Sequence, residues 1–590
     1  MRHTPSIPAI AILAAIVALA VHGAEGLPSL ADSSLDNDSV MRVVVVRDLI
    51  AGQGWFDPMQ YRMGLAGGFE MHWSRLVDAP IALLIVAVSP LLGQAGAEVL
   101  VAIAWPTLLF ALSLGFIIHA ARSLAGAGAM LPAAIIGGVT LHLSGLFTPG
   151  TFDHHNVQVA LTLGLAACLA VPGAGRNAGL AAGAAAALMI AIGMETLPLV
   201  AAAGVAVALA LAARPQATAQ LASGYGIGFA GVSALAFMAT VAPTRWGTPV
   251  CDAFSLAQAV PAILAGLGLS AIAVTAGSAR MPVRLAALAA LGLGIGLVIA
   301  LAFPGCIADP YAGLPERLRT LWLDRVVEAQ SVFDLFPDEP VALARFYATP
   351  LVALFVLAAA AAKRSLSAGE AMIGGMIAAA LAFSLWQVRG SYLVLPLAVV
   401  PLAAWVAAWR ERQERSASTT FALRTAAAWL VSFNMVWAAA VAATATAVKA
   451  GDGIGEEHRP GSEASCTART AFAAIGALKP ATVLVISNLG APMLAHTHHR
   501  TLAGPYHRNI DGNLAALDIW LAGPAEAEEM ARAAAVDFFA VCPSNSETRF
   551  LAQAAPEGLL AGLADGRVPS WLETVDEASA EPIRVWRVQP

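Results

Sequence analysis

The stretch Gly150-Thr-Phe-Asp-His-His-Asn-Val-Gln158 joins two long apolar runs, near 129–146 and 155–172. It places one carboxylate and two imidazoles beside segments long enough to enter a bilayer. Charged groups beside hydrocarbon are costly, so this island indicates a functional site. Asp153 and His155 offer an oxygen and a nitrogen to a divalent cation, which needs further carboxylates from elsewhere in the chain. The alternative is that Asp153 only caps a helix beginning near His155.

The composition of the chain indicates a membrane environment. Of its 590 residues, 58% are hydrophobic and 12% are charged, whereas roughly a quarter are charged in soluble proteins. We therefore expect a polytopic membrane protein in contact with the lipid bilayer. A net charge of -6 leaves no basic surface of the kind that binds nucleic acid, and we expect no nucleic-acid partner.

Apolar runs of spanning length, roughly 17 to 25 residues, recur along most of the chain. With the first run, Ile7 to Val21, taken as a retained helix rather than a cleaved signal, they predict about 13 transmembrane helices. The run 79–92 is short and bounded by prolines, so we predict that it is re-entrant or interfacial. The remaining predicted spans are 97–121, 129–146, 155–172, 176–193, 195–213, 223–242, 256–277, 282–303, 349–363, 369–386, 389–409 and 422–448.

Basic residues in the connecting loops predict the orientation of these helices. With Arg2 inside, every loop assigned to the cytoplasmic side carries Arg or Lys: Arg122, Arg176, Arg214, Arg280, Arg284, Lys363, Arg364 and the cluster from Arg410 to Arg415. The loops 23–96 and 304–348, the Asp153 segment and the tail then share the opposite face. We predict a multi-pass protein of a bacterial-type inner (plasma) membrane, with its active site and C-terminal domain on the periplasmic side.

The predicted fold is an all-α membrane domain, 1–448, followed by a soluble α/β domain, 449–590. Within the second domain, Ala481–Ser487 has the pattern of a buried strand, and Ala525–Ala535 that of a helix followed by a strand at Val536–Val541. The five cysteines form no CxxC pair and no zinc pattern. Two of them, Cys466 and Cys542, lie in this domain and would form a disulfide only outside the cytoplasm.

Four features of the chain resemble motifs of oligosaccharyltransferase catalytic subunits, which are GT-C membrane glycosyltransferases that use polyprenyl-linked donors. Asn37-Asp38, followed by Arg47-Asp48, is similar to the acidic motif of the first loop. Asp153-His154-His155 resembles the second acidic motif. Val327-Glu328-Ala329-Gln330 lies where the fifth external loop carries a short Glu motif, and Arg389 where the family has a helix-start arginine. The resemblance is to the archaeal and bacterial single-subunit branch and implies a GT-C fold.

The tail departs from that family. Its Trp-Trp-Asp-Tyr-Gly motif, which reads the hydroxyl residue of an acceptor peptide, is absent. The nearest counterpart is Ser487-Asn488-Leu489-Gly490, followed by three histidines and by Gly504 to Asn509. We therefore favour an acceptor without a sequon, and the acceptor can be a protein, a lipid or a polysaccharide.

The resemblance also implies roles for individual residues. Asp38, Asp153 and His155 would hold a divalent cation, and this oxygen-rich set suits Mg²⁺ or Mn²⁺. Arg389 would bind the phosphate of the donor through its planar guanidinium. Glu328 would orient or deprotonate the acceptor, and it forms the predicted catalytic set with Asp38 and Asp153. The possible substrate contacts are His154, Tyr506, His507 and Arg508.

Several of these residues have a purely structural alternative. Asp38 can lie in a solvated loop, and Arg389 can anchor a helix end at the headgroups. Glu328 can pair with Arg325 one helical turn away. His154 is expected to point away from the site, since adjacent residues of an extended segment face opposite sides. The remaining alternative concerns His496, His498 and His499, which are expected to be solvated rather than metal ligands.

The sequence therefore predicts an inverting, metal-assisted glycosyltransferase that takes a sugar or oligosaccharide from a polyprenyl-(pyro)phosphate carrier to a periplasmic acceptor. One alternative is a transporter or flippase of lipid-linked sugars. Transporters place ionisable residues near the midplane of repeated halves, whereas here these residues lie at the outer face and no repeat is found. The other alternative is an assembly subunit without catalytic activity.

Overall fold

The structure, a computed structural model, describes residues 6–31, 36–307, 311, 313–336, 339–416, 418–452, 464–579 and 582–590. Its N-terminal helices are α1 (Ile7–Ala24), α2 (Pro28–Ala31), α3 (Asn37–Ile50), α4 (Arg75–Ala125), α5 (Met130–Leu143), α6 (His155–Ala170), α7 (Arg176–Ile192), α8 (Leu197–Ala213) and α9 (Pro215–Thr240). A two-stranded antiparallel ribbon, β1 (Met59–Gln60) and β2 (Phe69–Glu70), lies between α3 and α4.

The membrane part continues through the middle of the chain. Its further helices are α10 (Leu256–Thr275), α11 (Met281–Ala302), α12 (Glu316–Leu321), α13 (Val332–Leu335), α14 (Pro340–Ala362), α15 (Ala368–Trp386), α16 (Ser391–Arg415), α17 (Thr419–Val431) and α18 (Asn434–Asp452). In the part of the chain that is described, nine helices are long and apolar enough to cross a membrane, a tenth span is bent by 83° between α17 and α18, and three apolar helices are shorter. These segments match the predicted spans one for one.

Helix α4 includes the run predicted to be re-entrant or interfacial. The helix contains three prolines, of which Pro80 and Pro90 precede an interruption at Gly93, whose φ of 70° is a conformation that glycine adopts without strain. Before the break, Ile81 and Ile85 are buried whereas Leu83 and Leu91 are exposed. This first half therefore packs one face on the protein and leaves an apolar face outside it.

Close helix packing holds α7 against α9. A Cβ atom added at Gly183 would lie 2.1 Å from Tyr225 O, and one added at Gly228 would lie 2.3 Å from Leu180 O. Small residues allow backbones to approach in this way inside membranes. The two helices consequently deliver their ends, near Gly193 and Val241, to the same face of the molecule.

The C-terminal region is a small α/β unit, as predicted. Its four-stranded sheet has the order β3-β4-β6-β5, with β3 and β4 parallel and the other pairs antiparallel. The strands are β3 (Val483–Leu484), β4 (Phe538–Val541), β5 (Leu572–Thr574) and β6 (Arg584–Val588), and the helices are α19 (Ser487–His496), α20 (Ile510–Leu521), α21 (Pro524–Ala533), α22 (Ser546–Ala554) and α23 (Leu559–Ala564).

The predicted strand and the predicted domain boundary of this region have different outcomes. The strand predicted over Ala481–Ser487 is only two residues long, because the chain turns into α19 at Ser487. The predicted domain boundary at 448/449 stays a prediction: α18 continues to Asp452, and residues 453–463 lie outside the described part.

Two disulfides join distant segments of the chain. Cys466 pairs with Cys542 in the C-terminal region, the pairing considered from the sequence. Cys251 pairs with Cys306, which the sequence did not indicate, and joins the segment after α9 to the segment after α11. Disulfides persist in oxidising compartments, so both are compatible with an extracytoplasmic location of these loops.

Candidate active site

The first turn of α3 carries two carboxylates. The side chain of Asp36 caps the helix, because its Oδ1 accepts from Asp38 N at 2.9 Å and from Ser39 N at 3.2 Å. Ser39 Oγ bonds to Asp36 and accepts from the backbone nitrogens of Phe152, at 2.8 Å, and Asp153, at 3.0 Å. Ser39 therefore ties the acidic turn of α3 to the acidic segment that precedes α6.

The Asp153 segment has both of its imidazoles on the same side. His154 Nδ1 lies 2.7 Å from Asp153 Oδ1, His155 Nδ1 contacts Asp153 Oδ2, and the two rings stack at 4.4 Å. The expectation that His154 points away is wrong, because its φ of -65° and ψ of -18° are helical rather than extended. Nor does Asp153 cap α6, since no side chain forms a capping hydrogen bond there.

Glu195, which was not among the predicted site residues, completes this cluster. Its Oε1 lies 2.9 Å from His154 Nε2, accepts from Gln158 Nε2 at 2.5 Å and is 4.0 Å from His155 Nε2. It lies in the short turn between α7 and α8, beside Gly193, where a Cβ atom would collide with Gln158 and Glu195 itself. A single carboxylate between two apolar helices was the signal in the sequence.

The residues present fit a divalent cation. Ligand atoms of Asp153, His154 and His155 all lie within 4.8 Å of one another. Among the described residues, the buried atoms Asp153 Oδ1 and His155 Nε2 have no hydrogen-bond partner, since the contact of Oδ1 with His154 lacks hydrogen-bond geometry. Burial and the neighbouring Asp153 carboxylate raise the pKa of Asp36 to about 6, and the same two causes raise the pKa of Asp38 well above its usual range. A cation would relieve this accumulation of negative charge.

Glu328 and Arg389 face each other across the same region. Arg389 lies in the short turn before α16, and its Nη2 is 4.0 Å from Glu328 Oε1 and 3.4 Å from the hydroxyl of Tyr311. Arg325 lies instead 4.1 Å from the centre of the Phe550 ring. The alternative pairing of Glu328 with Arg325 is therefore wrong, and the carboxylate of Glu328 is turned toward the predicted phosphate ligand.

Two cavities meet at these residues. The first cavity, of about 220 Å³, is lined by His154, His155, Glu195 and Arg389 together with residues of the first external loop. The second cavity, of about 540 Å³, is lined by Asp36, Asp153 and residues of the C-terminal region. Five residues belong to both linings: Asp38, Trp322, Val326, Glu328 and Pro505. Asp38 and Glu328 therefore stand in the wall that the cavities share, and Asp38 is not in a solvated loop.

Three residues of the C-terminal region were predicted to contact substrate, and all three line the first cavity: Tyr506, His507 and Arg508. Their surroundings differ. Tyr506 is buried, and its hydroxyl donates to the carbonyl of Asn37 at 3.2 Å. His507 Nε2 lies 2.7 Å from Asp252 Oδ2, and Arg508 donates to both oxygens of Asp252, each at 2.7 Å. Asp252, adjacent to the Cys251–Cys306 disulfide, was not predicted.

The second cavity contains the counterpart of the absent aromatic motif. Ser487 and Asn488, at the start of α19, line this cavity together with Glu547. Glu547 accepts from Ser487 N at 3.1 Å, Ser487 Oγ at 2.7 Å and Asn488 N at 2.8 Å. A carboxylate therefore holds the beginning of this helix, and no sequence motif had indicated it.

The histidines near the end of α19 have structural roles. His498 Nε2 lies 2.6 Å from Leu478 O, and His499 Nε2 lies 2.8 Å from Ile475 O. His496 is the last residue of α19 and packs against Phe472. These contacts fix the turn after α19, so the expectation that the histidines are solvated is wrong for the buried His499.

Comparison with solved structures identifies the architecture. An archaeal oligosaccharyltransferase from Archaeoglobus fulgidus, in complex with an inhibitory peptide and a dolichol-phosphate, superposes with a TM-score of 0.65 and covers 96% of this chain and 72% of its own, at 13% identity. The apo form of an oligosaccharyltransferase of that organism has a TM-score of 0.66, with the same coverage and 15% identity. The chain has an oligosaccharyltransferase fold.

The predicted GT-C architecture is thereby confirmed. The same archaeal oligosaccharyltransferase has also been solved in complex with Zn and sulfate, at a TM-score of 0.59 over 99% of this chain and 73% of its own, with 13% identity. No protein-family model matches the sequence. No curated protein matches it either. The likeness to oligosaccharyltransferases therefore lies in the fold, which persists at 13–15% identity.

Proposed function

We propose that the chain is a GT-C glycosyltransferase that transfers a sugar or short glycan from a polyprenyl-(pyro)phosphate carrier to an acceptor outside the cytoplasm. The observation that carries the proposal is the pair Asp38 and Glu328 in the wall between two cavities. A donor in one cavity and an acceptor in the other would meet at these carboxylates. Neither a transporter nor an assembly subunit requires such a wall.

The first cavity is the proposed donor site. Arg389 is its phosphate ligand, because a guanidinium binds phosphate oxygens through two parallel hydrogen bonds. Its buried Nε has no hydrogen-bond partner among the described residues. The archaeal oligosaccharyltransferase of the same fold was solved with dolichol-phosphate, which supports a polyprenyl phosphate as the chemical class of the carrier.

The second cavity is the proposed acceptor site. A nucleophilic nitrogen or oxygen of the acceptor attacks the anomeric carbon from this side, while the bond from that carbon to the carrier phosphate breaks. Glu328 accepts the proton of the nucleophile or orients it, and Arg389 stabilises the negative charge on the departing phosphate. One displacement of this kind inverts the anomeric configuration.

Asp38, Asp153 and His155 are the proposed ligands of a divalent cation, with His154 and Glu195 orienting them. When bound, Mg²⁺ or Mn²⁺ would neutralise charge on the phosphate oxygens of the leaving group. Ser39 supports this arrangement before substrate arrives, because its hydroxyl joins the Asp36 carboxylate at the start of α3 to the backbone nitrogen of Asp153.

The acceptor is proposed to lack a hydroxyl sequon. An archaeal oligosaccharyltransferase of this fold was solved with a tethered peptide that contains an NVT sequon. Here Ser487, Asn488 and Glu547 line the second cavity, and no tryptophan pair precedes them in the sequence. A protein, lipid or polysaccharide acceptor on the periplasmic face of a bacterial-type inner membrane remains the proposal.

A glycan profile of cells tests the proposal. Strains carrying wild type, a deletion, Asp153→Ala and the control Asp565→Ala are compared in protein, lipid and polysaccharide fractions, with the amount of membrane-inserted protein measured in each. Asp565 is an exposed residue that pairs with Arg567. We expect Asp153→Ala to lose the same glycan as the deletion strain in one of the three fractions. The fraction that loses the glycan identifies the class of the acceptor. A wild-type profile for Asp153→Ala would refute the enzyme and favour transport or scaffolding.

A further inference from the structure

The first cavity has a second polar end, lined by residues that the proposed transfer does not use. It is formed by Glu70 and His72 of the first external loop, Arg245 and Asp252 of the segment after α9, and His507 and Arg508 of the C-terminal region. We call these residues the outer cluster. We propose that the outer cluster is a subsite that binds the sugar of the donor through its hydroxyls and selects an uncharged sugar. This inference rests on the proposed function, in which the carrier phosphate lies at Arg389.

The charges of the outer cluster balance within it. Arg245 donates to both oxygens of Glu70, at 2.5 and 2.7 Å. Arg508 donates to both oxygens of Asp252 and, at 3.1 Å, to Glu70. Two guanidinium groups are thus satisfied by two carboxylates. An anionic ligand would have to displace one of these bidentate pairs, whereas a neutral hydroxyl group can bond to their remaining lone pairs and N–H groups.

The outer cluster also contains two imidazoles that pack close to each other. The rings of His72 and His507 lie 4.5 Å apart, and His507 packs edge-on against Tyr311 at 5.7 Å. Burial, with His507 beside it, holds the pKa of His72 well below its usual range, so His72 is uncharged at pH 7. An additional phosphate group at this end would meet no unpaired cation.

The chemistry of the lining excludes the lipid chain of the donor as the occupant. A hydrocarbon chain against the outer cluster would remove water from four charged groups without replacing its hydrogen bonds, which is costly. A sugar supplies hydroxyls for these groups and an apolar face for the aromatic rings. Trp55 and Phe56, both part of the lining, present 38% and 43% of their surface.

The outer cluster is also held rigidly, as a selective site requires. Trp55 Nε1 donates to Ala239 O at 2.6 Å at the end of α9. The Cys251–Cys306 disulfide lies next to Asp252 in the chain. Three separate segments therefore meet at this cluster with little freedom to rearrange around an ion.

The test compares binding of three short-chain polyprenyl phosphates to the full-length protein in lipid nanodiscs: the bare carrier, the glucosyl carrier and the glucuronosyl carrier. We expect the glucosyl carrier to bind about tenfold tighter than the bare carrier, because a site built for hydroxyls discriminates by their hydrogen bonds. The glucuronosyl carrier should bind no better than the bare carrier. Equal affinity for all three, or tighter binding of the glucuronosyl carrier, would overturn the subsite.

Two variants test the charge argument in opposite directions. Asp252→Asn leaves the cluster one unit more positive and should shift preference toward the glucuronosyl carrier. Arg245→Ala leaves it one unit more negative and should disfavour that carrier further. In both variants the affinity for the bare carrier should stay within about twofold of wild type, since the carrier phosphate is bound at Arg389 and not at the outer cluster. A parallel loss of all three affinities would show a merely structural role and contradict the subsite.

Arg532→Ala is the matched control. Arg532 pairs with Glu528, and the exposures of this pair, 40% and 32%, are close to the 50% and 29% of Arg245 and Glu70. The Arg532→Ala substitution should leave the affinities for all three carriers unchanged. Release of free sugar by the wild type is recorded in the same samples: if the glucosyl carrier binds selectively without any turnover, the proposed transfer fails while the subsite stands. If even the bare carrier does not bind, the donor site itself is wrong.

Discussion

The two ends of the first cavity contain similar residue types in opposite states of charge balance. The inner end is lined by Asp38, Glu195 and Glu328, and Asp153 of the second cavity lies beside it. These carboxylates outnumber their cationic partners, and among the described residues the buried ligand atoms Asp153 Oδ1 and His155 Nε2 have no hydrogen-bond partner. At the outer end, each carboxylate is matched by an arginine. An unbalanced buried cluster suits the proposed cation, because desolvated like charges are costly, whereas a balanced cluster suits the proposed neutral ligand.

The largest effect is expected from a substitution at the inner end, which should respond to Mn²⁺ whereas the outer end should not. Asp153→Asn should lower sugar release by about 100-fold or more, since loss of groups that merely support a metal ligand already costs about 10- to 100-fold. It should also abolish the Mn²⁺-dependent rise in melting temperature, which for wild type corresponds to about 2.7 kcal/mol at a concentration of 100 Kd.

The outer end supplies the control for this measurement. Asp252→Asn should retain the stabilisation by Mn²⁺, because Asp252 belongs to the balanced cluster and bonds to His507 and Arg508. If both variants lose the stabilisation, or if neither does, the contrast between the two ends is not a contrast in cation binding.

A smaller effect is expected when Glu195, which supports Asp153, His154 and His155, is altered. Glu195→Gln keeps the shape of the side chain but removes the charge that holds His154 Nε2 at 2.9 Å. Affinity for Mn²⁺ should fall by about 10- to 100-fold, the usual cost of losing a group that orients metal ligands, because His154 in turn contacts the proposed ligand Asp153. Sugar release at saturating Mn²⁺ should recover most of the wild-type rate, which distinguishes orientation of the ligands from a direct part in the reaction.

Glu98→Gln provides the matched change outside the site. Glu98 is also a partly buried carboxylate, and it accepts from Arg47 at 3.0 and 2.7 Å. Its substitution should affect stability without altering Mn²⁺ affinity. Equal affinities for wild type and Glu195→Gln would mean that Glu195 only fills space between α7 and α8.

The sequence predicted the membrane helices well because each of them is a local property of the chain. Hydropathy over a window of spanning length identified every one, and loop charges placed the polar segments on one face. The Asp153 segment could be singled out for the same reason, since a charged group among apolar runs stands out locally. The arrangement of the side chains within this segment could not be predicted, because the helical backbone at His154 depends on where α6 begins.

Contacts between distant segments were beyond local patterns. Asp252 and Glu547 lie in unremarkable polar stretches, and only the fold brings them to Arg508 and to the start of α19. Glu195 carried a visible signal, a lone acid between two apolar helices, but its partner is 41 residues away. The pairing of Cys251 with Cys306 likewise required the three-dimensional arrangement of α9 and α11.

The smallest expected effect concerns Tyr506, which lies between the two ends and was predicted as a possible substrate contact. Its ring is buried between Phe69 and Trp73, and its hydroxyl donates to Asn37 O at 3.2 Å. Tyr506→Phe should lower the free energy of unfolding by about 0.5–1.5 kcal/mol, the usual net worth of one hydrogen bond. Donor affinity should stay unchanged, because the ring and its packing remain.

The same substitution at Tyr347 calibrates this measurement. Tyr347 is also buried, and its hydroxyl donates to Ser384 O at 2.6 Å within the helix bundle, outside the lining of the first cavity. Both variants should therefore melt at similarly reduced temperatures with unaltered affinity for the glucosyl carrier. A weaker affinity in Tyr506→Phe alone, at normal stability, would make its hydroxyl a donor contact and extend the sugar subsite from the outer cluster toward Asp38.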